Sequence, residues 1–288
     1  MTKQLLYIPL LLFLFLSFSF YGQTGPGGIS NNNGADDLTL WLKSDKNISY
    51  NSSKRVNRWF DNSGYGHHFD SSSISPFYTQ EALNGLPALE FNSDGAGLER
   101  TGFDISNMLS SDANTFIFVK QSTSGTSWFN ISGATLSFNL SSSNSEFNYG
   151  SGILNGDSVI DDAYHILTGL KTSGGRQSIY IDGAYDGQQA NSNSLTLGND
   201  DVFLGSADGT ASNGWQGNIA ELLFFDRALD TTERLIIDNY LASKYDLSLP
   251  SNYDKYQGDL PGNGDFDFEV VGIGNANASA HSLSNSAG

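Results

Sequence analysis

The chain has 288 residues and a formal net charge of −17, with 14 Lys and Arg against 31 Asp and Glu. An acidic surface of this strength repels phosphate backbones, so we expect no nucleic-acid partner. The absence of cysteine excludes disulfides, thiolate metal sites and cysteine nucleophiles.

Residues 1–22 have the composition of a secretory signal peptide. Lys3 gives the segment a positive start, and Leu5 to Phe20 is almost wholly apolar. The apolar run is short for a transmembrane helix, which takes about 20 residues. We therefore expect export to the extracellular space or the outer cell surface, with a retained membrane anchor as the alternative. No transmembrane segment is expected after signal removal.

Residues 23–35 are rich in Gly and Asn and read as a linker. From Leu38 onward, short apolar stretches alternate with Gly, Asn, Asp and Ser, which is typical of an all-β domain. We predict strands near 38–43, 55–60, 87–92, 114–121, 126–131, 135–140, 145–149, 163–171, 176–182, 201–205 and 217–226.

The stretch RQSIYIDG shows the strand pattern most clearly. Ser178, Tyr180 and Asp182 alternate with Ile179 and Ile181, so one face of this strand is apolar and the other is polar. Many such half-buried strands, separated by turns, indicate a sandwich or a barrel.

One helix is predicted over residues 231–245. Asp230 caps its start, and Glu233 lies three positions later, as in a capping box. Ile237 and Leu241 are spaced so that one face of the helix is buried.

Residues 250–288 contain too little apolar surface for an independent fold. We expect a linker followed by the incomplete start of a further module, because Phe266 to Ile273 resembles a strand. A disordered tail is the alternative.

Three stretches in this order carry a family resemblance: DLTLWLKSDKNISY with RVNRWFDNSGYGHHF, then RQSIYIDG, then GNIAELLFFDRALDTTERLIIDNYLASKYDL. Together they resemble the LamG-like (concanavalin A-like) jelly-roll domains of adhesin-like surface proteins in Bacteroidetes-type bacteria. The resemblance covers residues 36–249. It implies an all-β, antiparallel jelly-roll β-sandwich with one C-terminal α-helix, in which Trp41 and Trp59 belong to the core.

The resemblance also implies recognition or adhesion, with a glycan or a surface protein as the partner. Glucanases on this fold carry two Glu in an E-x-D-x-x-E arrangement, in which both carboxylates act on the same sugar. No such arrangement occurs here, so we assign no catalytic residues. A glycoside hydrolase or lyase of the concanavalin A-like superfamily and a structural spacer in a larger surface protein are the alternative functions.

LamG-like domains often hold Ca²⁺ at the rim of the sandwich, where loops supply oxygen ligands. The candidate ligands are Asp61 and Asn62 in one loop and Asn199, Asp200 and Asp201 in another. The alternative is that these residues shape turns, because Asp and Asn side chains bond their own backbone.

Exposed aromatic rings are the usual stacking platforms for sugars. Trp128, Tyr149, Trp215 and Tyr65 lie near turn residues and are the candidate ligand-binding side chains. Packing inside the sandwich or at its edge is the alternative for each of them.

Overall fold

The computed structural model describes residues 23–268, apart from 93–94, 125–126, 132, 142, 207, 209–213 and 265. The predicted signal segment and residues 269–288 lie outside the described residues, as does most of the strand predicted near Phe266 to Ile273. Within the described part, no helix has the length and apolar character that crossing a membrane requires.

Two antiparallel sheets pack face to face. The helix-side sheet contains β1 (Leu38–Lys43), β5 (Phe77–Leu83), β6 (Leu86–Phe91), β8 (Asn114–Ser124), β13 (Tyr164–Thr172), β14 (Arg176–Ile181), β15 (Ala184–Ala190) and β17 (Gln216–Phe225). Its order is β15-β14-β13-β8-β17-β6-β5, and β1 also pairs with β17.

The opposite sheet contains β2 (Ile48–Tyr50), β3 (Val56–Trp59), β4 (Phe69–Ser71), β7 (Leu98–Asp104), β9 (Ser127–Ile131), β10 (Leu136–Ser141), β11 (Asn144–Tyr149), β12 (Gly152–Val159) and β16 (Asn199–Leu204). Its order is β12-β11-β10-β9-β16-β7-β4-β3-β2. The antiparallel sandwich predicted from the sequence is confirmed.

The central strands of the helix-side sheet are apolar on both faces because both faces are buried. In β8, Phe116 and Phe118 face the core between the sheets, whereas Ile117 and Val119 face the helix. Trp41 and Trp59 are buried as predicted.

The predicted helix is confirmed as α1 (Thr231–Tyr245). Asp230 accepts the N–H groups of Thr232 and Glu233, and the Glu233 carboxylate accepts the N–H of Asp230, which completes the capping box. The helix covers the outer face of the helix-side sheet with residues that include Ile237 and Leu241.

The chain after α1 folds back along the helix rather than leaving it. The Asn239 amide donates to the carbonyl of Tyr253 at 2.9 Å, and its oxygen accepts the N–H groups of Lys255 and Tyr256 at 2.7 and 2.8 Å. Tyr256 is buried. The beginning of the predicted linker is therefore packed against the sandwich domain.

Candidate functional site

A groove of about 630 Å³ lies between the β14–β15 hairpin and α1, and residues 252–253 close it at one side. Most of the side chains that line this hairpin–helix groove are aromatic or can form hydrogen bonds. The lining residues are Arg176, Tyr180, Tyr185, Gln188, Thr231, Arg234, Leu235, Asp238, Asn252 and Tyr253, together with Gly183.

A β-bulge shapes the hairpin wall of the groove. Tyr180 pairs with Tyr185, whereas Ser178 pairs with Gln188, so β15 carries one extra residue between the two pairs. Because side chains alternate along a strand, the extra residue turns Tyr185 and Gln188 toward the face that carries Tyr180. The two tyrosine rings meet edge to face with centroids 6.1 Å apart, and Tyr185 is 50 % exposed.

One stripe of α1 forms the opposite wall. Thr231, Arg234, Leu235 and Asp238 follow the spacing i, i+3, i+4 and i+7, which places them on one face of the helix. The Arg234 guanidinium lies over the Tyr180 ring, with 4.4 Å between its central carbon and the ring centroid. This cation–π contact joins the two walls.

Asp238 lies at the floor of the groove and is 4 % exposed. Its Oδ1 atom is buried and has no hydrogen-bond partner. Burial raises the pKa of Asp238 to about 7; the Arg234 charge opposes the shift and the Asp182 charge adds to it. Leaving a buried oxygen without a partner costs about 1–3 kcal/mol, so this carboxyl is an unusual feature of the groove floor.

The turn of the hairpin brings the backbone close to this floor. Asp182 and Gly183 both have positive φ angles, 50° and 78°, as a two-residue hairpin turn requires. A Cβ atom at Gly183 would lie 3.3 Å from the Asp238 carboxylate and 3.3 Å from Tyr253 Cβ. Glycine therefore permits both the turn and the close approach of the hairpin, α1 and Tyr253.

Three of the aromatic candidates from the sequence lie in the core between the sheets. Trp128, Tyr149 and Trp215 are fully buried. The Tyr149 hydroxyl accepts a hydrogen bond from the Asn114 amide at 2.6 Å, and the Trp215 indole donates to Ser122 at 3.3 Å. Rings that are closed to solvent offer no face to a sugar. The prediction that these three side chains bind a ligand is therefore wrong, and they belong to the core.

Tyr65 lies apart from the hairpin–helix groove. It is half-buried, donates to the carbonyl of Asp36 at 2.7 Å and stacks on His67 with 5.5 Å between centroids. It borders a polar cavity of about 530 Å³ in which Arg227 pairs with Asp37 and with Glu233.

The first pair of candidate metal ligands shapes the loop between β3 and β4. Asp61 is buried, and its carboxylate accepts hydrogen bonds from the backbone N–H groups of Trp41, Ser63 and His67 and from the Ser63 hydroxyl. The Asn62 amide donates to the carbonyl of Trp41 at 3.3 Å. These bonds use both Asp61 oxygens to shape the loop and to attach it to β1.

The second group lies at the start of β16, where Asn199 pairs with Asp104 in the sheet. Asp200 accepts the N–H groups of Ala134 and Asp201 at 2.9 and 2.8 Å, and Asp201 accepts the N–H of Gly102 at 2.7 Å. Among the described residues, no three acidic or histidine side chains form a metal cluster. The calcium site stays a prediction that rests on the resemblance.

No groove residue is among the candidates drawn from the sequence. The usable signals were the outward position of Tyr180 in RQSIYIDG and the helix stripe that contains Arg234 and Asp238. What the sequence does not reveal is that this strand face and this helix face meet.

Residues 106–233 match the family model of the concanavalin A-like lectin/glucanases superfamily, which confirms the resemblance read from the sequence. No curated protein matches the sequence.

Solved structures share the fold. The binding domain of Paraclostridial Mosquitocidal Protein 1 matches with a TM-score of 0.56 and 11 % identity, over 71 % of this chain and 52 % of that one. The botulinum neurotoxin serotype D ligand binding domain in complex with N-acetylneuraminic acid matches with a TM-score of 0.53 and 13 % identity, over 70 % of this chain and 50 % of that one. The botulinum neurotoxin DC binding domain in complex with rat synaptotagmin II matches with a TM-score of 0.53 and 13 % identity, over 71 % of this chain and 52 % of that one. This chain spans about half the length of each neighbour.

Proposed function

We propose that this concanavalin A-like lectin/glucanase domain is a non-catalytic recognition module that acts outside the cell and binds a glycan in the hairpin–helix groove. The observation that carries the proposal is the groove itself, in which Tyr180, Tyr185 and Tyr253 line the space beside the Asp238 carboxyl, whose Oδ1 atom has no hydrogen-bond partner. A cleft of this size with aromatic walls and a few placed polar groups is typical of a small-ligand site.

The chemistry of the walls favours a sugar. Sugar rings have an apolar face that stacks on tyrosine and a rim of hydroxyls that need hydrogen-bond partners. Among the neighbours on this fold, one holds N-acetylneuraminic acid and another holds a protein, so the fold suits both kinds of partner. The half-exposed Tyr185 ring and the Asp238 floor favour the glycan. The apolar amino-terminal segment and the acidic composition support export.

The test is glycan binding by the wild-type protein and a Tyr185→Ala variant. An aromatic anchor of a binding site is worth more than about 1 kcal/mol, so binding should weaken at least about fivefold. Tyr50→Ala is the matched control, because Tyr50 is 38 % exposed and lies on β2 of the opposite sheet. Equal losses in the two variants, or no loss in either, would place the ligand elsewhere.

Catalysis is the second candidate, and the raised pKa of Asp238 is the observation that favours it, because a general acid must be protonated near neutral pH. Glycoside hydrolysis also needs a second carboxyl about 5–10 Å away in the same groove. Among the described lining residues, Asp238 is the one carboxyl. If the protein hydrolyses a polysaccharide and the Asp238→Asn variant does not, the protein is an enzyme and the proposal of a non-catalytic module is wrong.

A further inference from the structure

Positive charge is scarce in this protein, yet two arginines line the hairpin–helix groove. The whole chain holds 14 Lys and Arg against 31 Asp and Glu. Arg176 and Arg234 both line the groove, and Asp238 is the one acidic residue among its described lining. The groove therefore has a charge balance opposite to that of the protein as a whole.

Arg176 is placed to meet a ligand. It is the first residue of β14, it is exposed, and its side chain makes no ion pair within the described part of the chain. It lines both the groove and an adjoining cavity of about 390 Å³, and Gln188 is also shared by the two. Arg176 lies four strand residues from Tyr180, about 13 Å along the backbone of β14.

The floor adds hydrogen-bond donors. Arg234 is buried and uses one N–H group on the carbonyl of Leu229 at 3.0 Å, which leaves further donors on a planar guanidinium. The Asp238 carboxyl, when protonated, donates through its O–H group. A groove whose polar groups mainly donate is matched by a ligand that brings strong acceptors.

We infer that the groove selects glycans that carry carboxylate groups, with Arg176 pairing with one carboxylate while the tyrosines stack on a neighbouring sugar ring. The inference rests on the proposed function, because it names the class of glycan that the groove takes. Guanidinium and carboxylate form two parallel hydrogen bonds, which gives geometric selection as well as affinity.

The inference has a pH consequence at Asp238. The groups that surround this carboxyl are Arg234 on α1, Tyr180 and Asp182 from the hairpin, and Tyr253 from the turn after the helix. Above about pH 7 the carboxyl is ionised, and its charge repels an anionic sugar. Binding of a uronic-acid glycan should therefore weaken from pH 5.5 to pH 8.5, and Asp238→Asn should flatten that profile because an amide donates at every pH.

The experiment uses the purified full protein and a panel of oligouronates, each paired with its carboxyl-reduced neutral counterpart. For the member that binds, the acidic form should bind at least tenfold more tightly than its neutral twin. Arg176→Gln should remove this preference by weakening binding of the acidic form to the level of its neutral twin, whereas Tyr185→Ala should weaken both forms by the same factor. Arg58→Gln, on the opposite sheet, is the control and should change neither.

The outcomes separate the two proposals. A neutral twin that binds as tightly as its acidic form overturns the selection of carboxylates and leaves the glycan proposal standing. If no member of the panel or of a neutral glycan array binds, both proposals fail. A preference for the acidic form that survives in Arg176→Gln overturns the role of Arg176.

Discussion

A buried carboxylate attaches α1 to the helix-side sheet and so supports the helix wall of the groove. Glu221 on β17 is fully buried. It accepts hydrogen bonds from the Trp41 indole at 2.6 Å, the Lys244 ammonium at 2.7 Å and the Tyr245 hydroxyl at 2.9 Å. Burial opposes the charge on Lys244, but the charges of Glu221 and Asp45 together raise its pKa.

Changing Glu221 to Gln removes the negative charge and keeps the shape of the side chain. Removing one partner of a buried ion pair costs about 3–5 kcal/mol, because the remaining charge is left uncompensated. Asp45 still contacts the Lys244 ammonium at 3.0 Å, so we expect the lower end, about 3 kcal/mol. In a domain of this size that loss lowers Tm by about 6–12 °C.

The assay is thermal and urea unfolding of wild type, Glu221→Gln and Arg58→Ala. Arg58 pairs with Asp70 at the surface, where the two side chains are 43 % and 55 % exposed, so its loss should cost at most about 1 kcal/mol. If Glu221→Gln is no more destabilising than Arg58→Ala, the Glu221 network does not hold the helix in the way argued above.

His165 contacts Asp182 at 2.7 Å, and this hydrogen bond, opposed by burial, raises the histidine pKa. The stabilisation that this ion pair gives the folded protein is complete below about pH 6.5 and is lost as pH rises through the folded-state pKa of His165. The urea midpoint of His165→Gln should therefore lack this part of the pH dependence. A pH profile equal to that of the wild type would count against a stabilising His165–Asp182 pair. Gly169→Ala should cost about 1–3 kcal/mol, since its Cβ would lie 2.4 Å from the Phe138 ring. Gly198→Ala, with no atom within 4 Å of the new Cβ, should leave Tm unchanged, and equal shifts in the two variants would refute the clash.

The strands with strong apolar patterns were predictable from the sequence. Every predicted strand is present, and α1 has the predicted bounds. The pattern does not predict β2, β4, β5, β7, β12 or β15. Two of these strands, β2 and β4, are only three residues long. Four of them, β2, β5, β12 and β15, lie at sheet edges. Edge strands bury little of either face, so their sequences lack the alternation on which prediction depends.

The ligand-binding residues were less predictable, because exposure of an aromatic ring is decided by tertiary packing. Trp128 and Trp215 stand near turn residues, yet both rings point between the sheets. Tyr180 was visible as an outward residue, but its partners come from distant parts of the chain. The hairpin turn at Gly183 lies against Asp238, a contact that no local pattern encodes.

The central claim is that the hairpin–helix groove binds the glycan. A crystal structure of the protein with its tightest-binding oligosaccharide tests this most directly. The account predicts a sugar ring against Tyr185, with a hydrogen bond to Asp238 at the floor. A sugar bound instead at the loops that carry Asp61 or Asp200, with the groove empty, would contradict it.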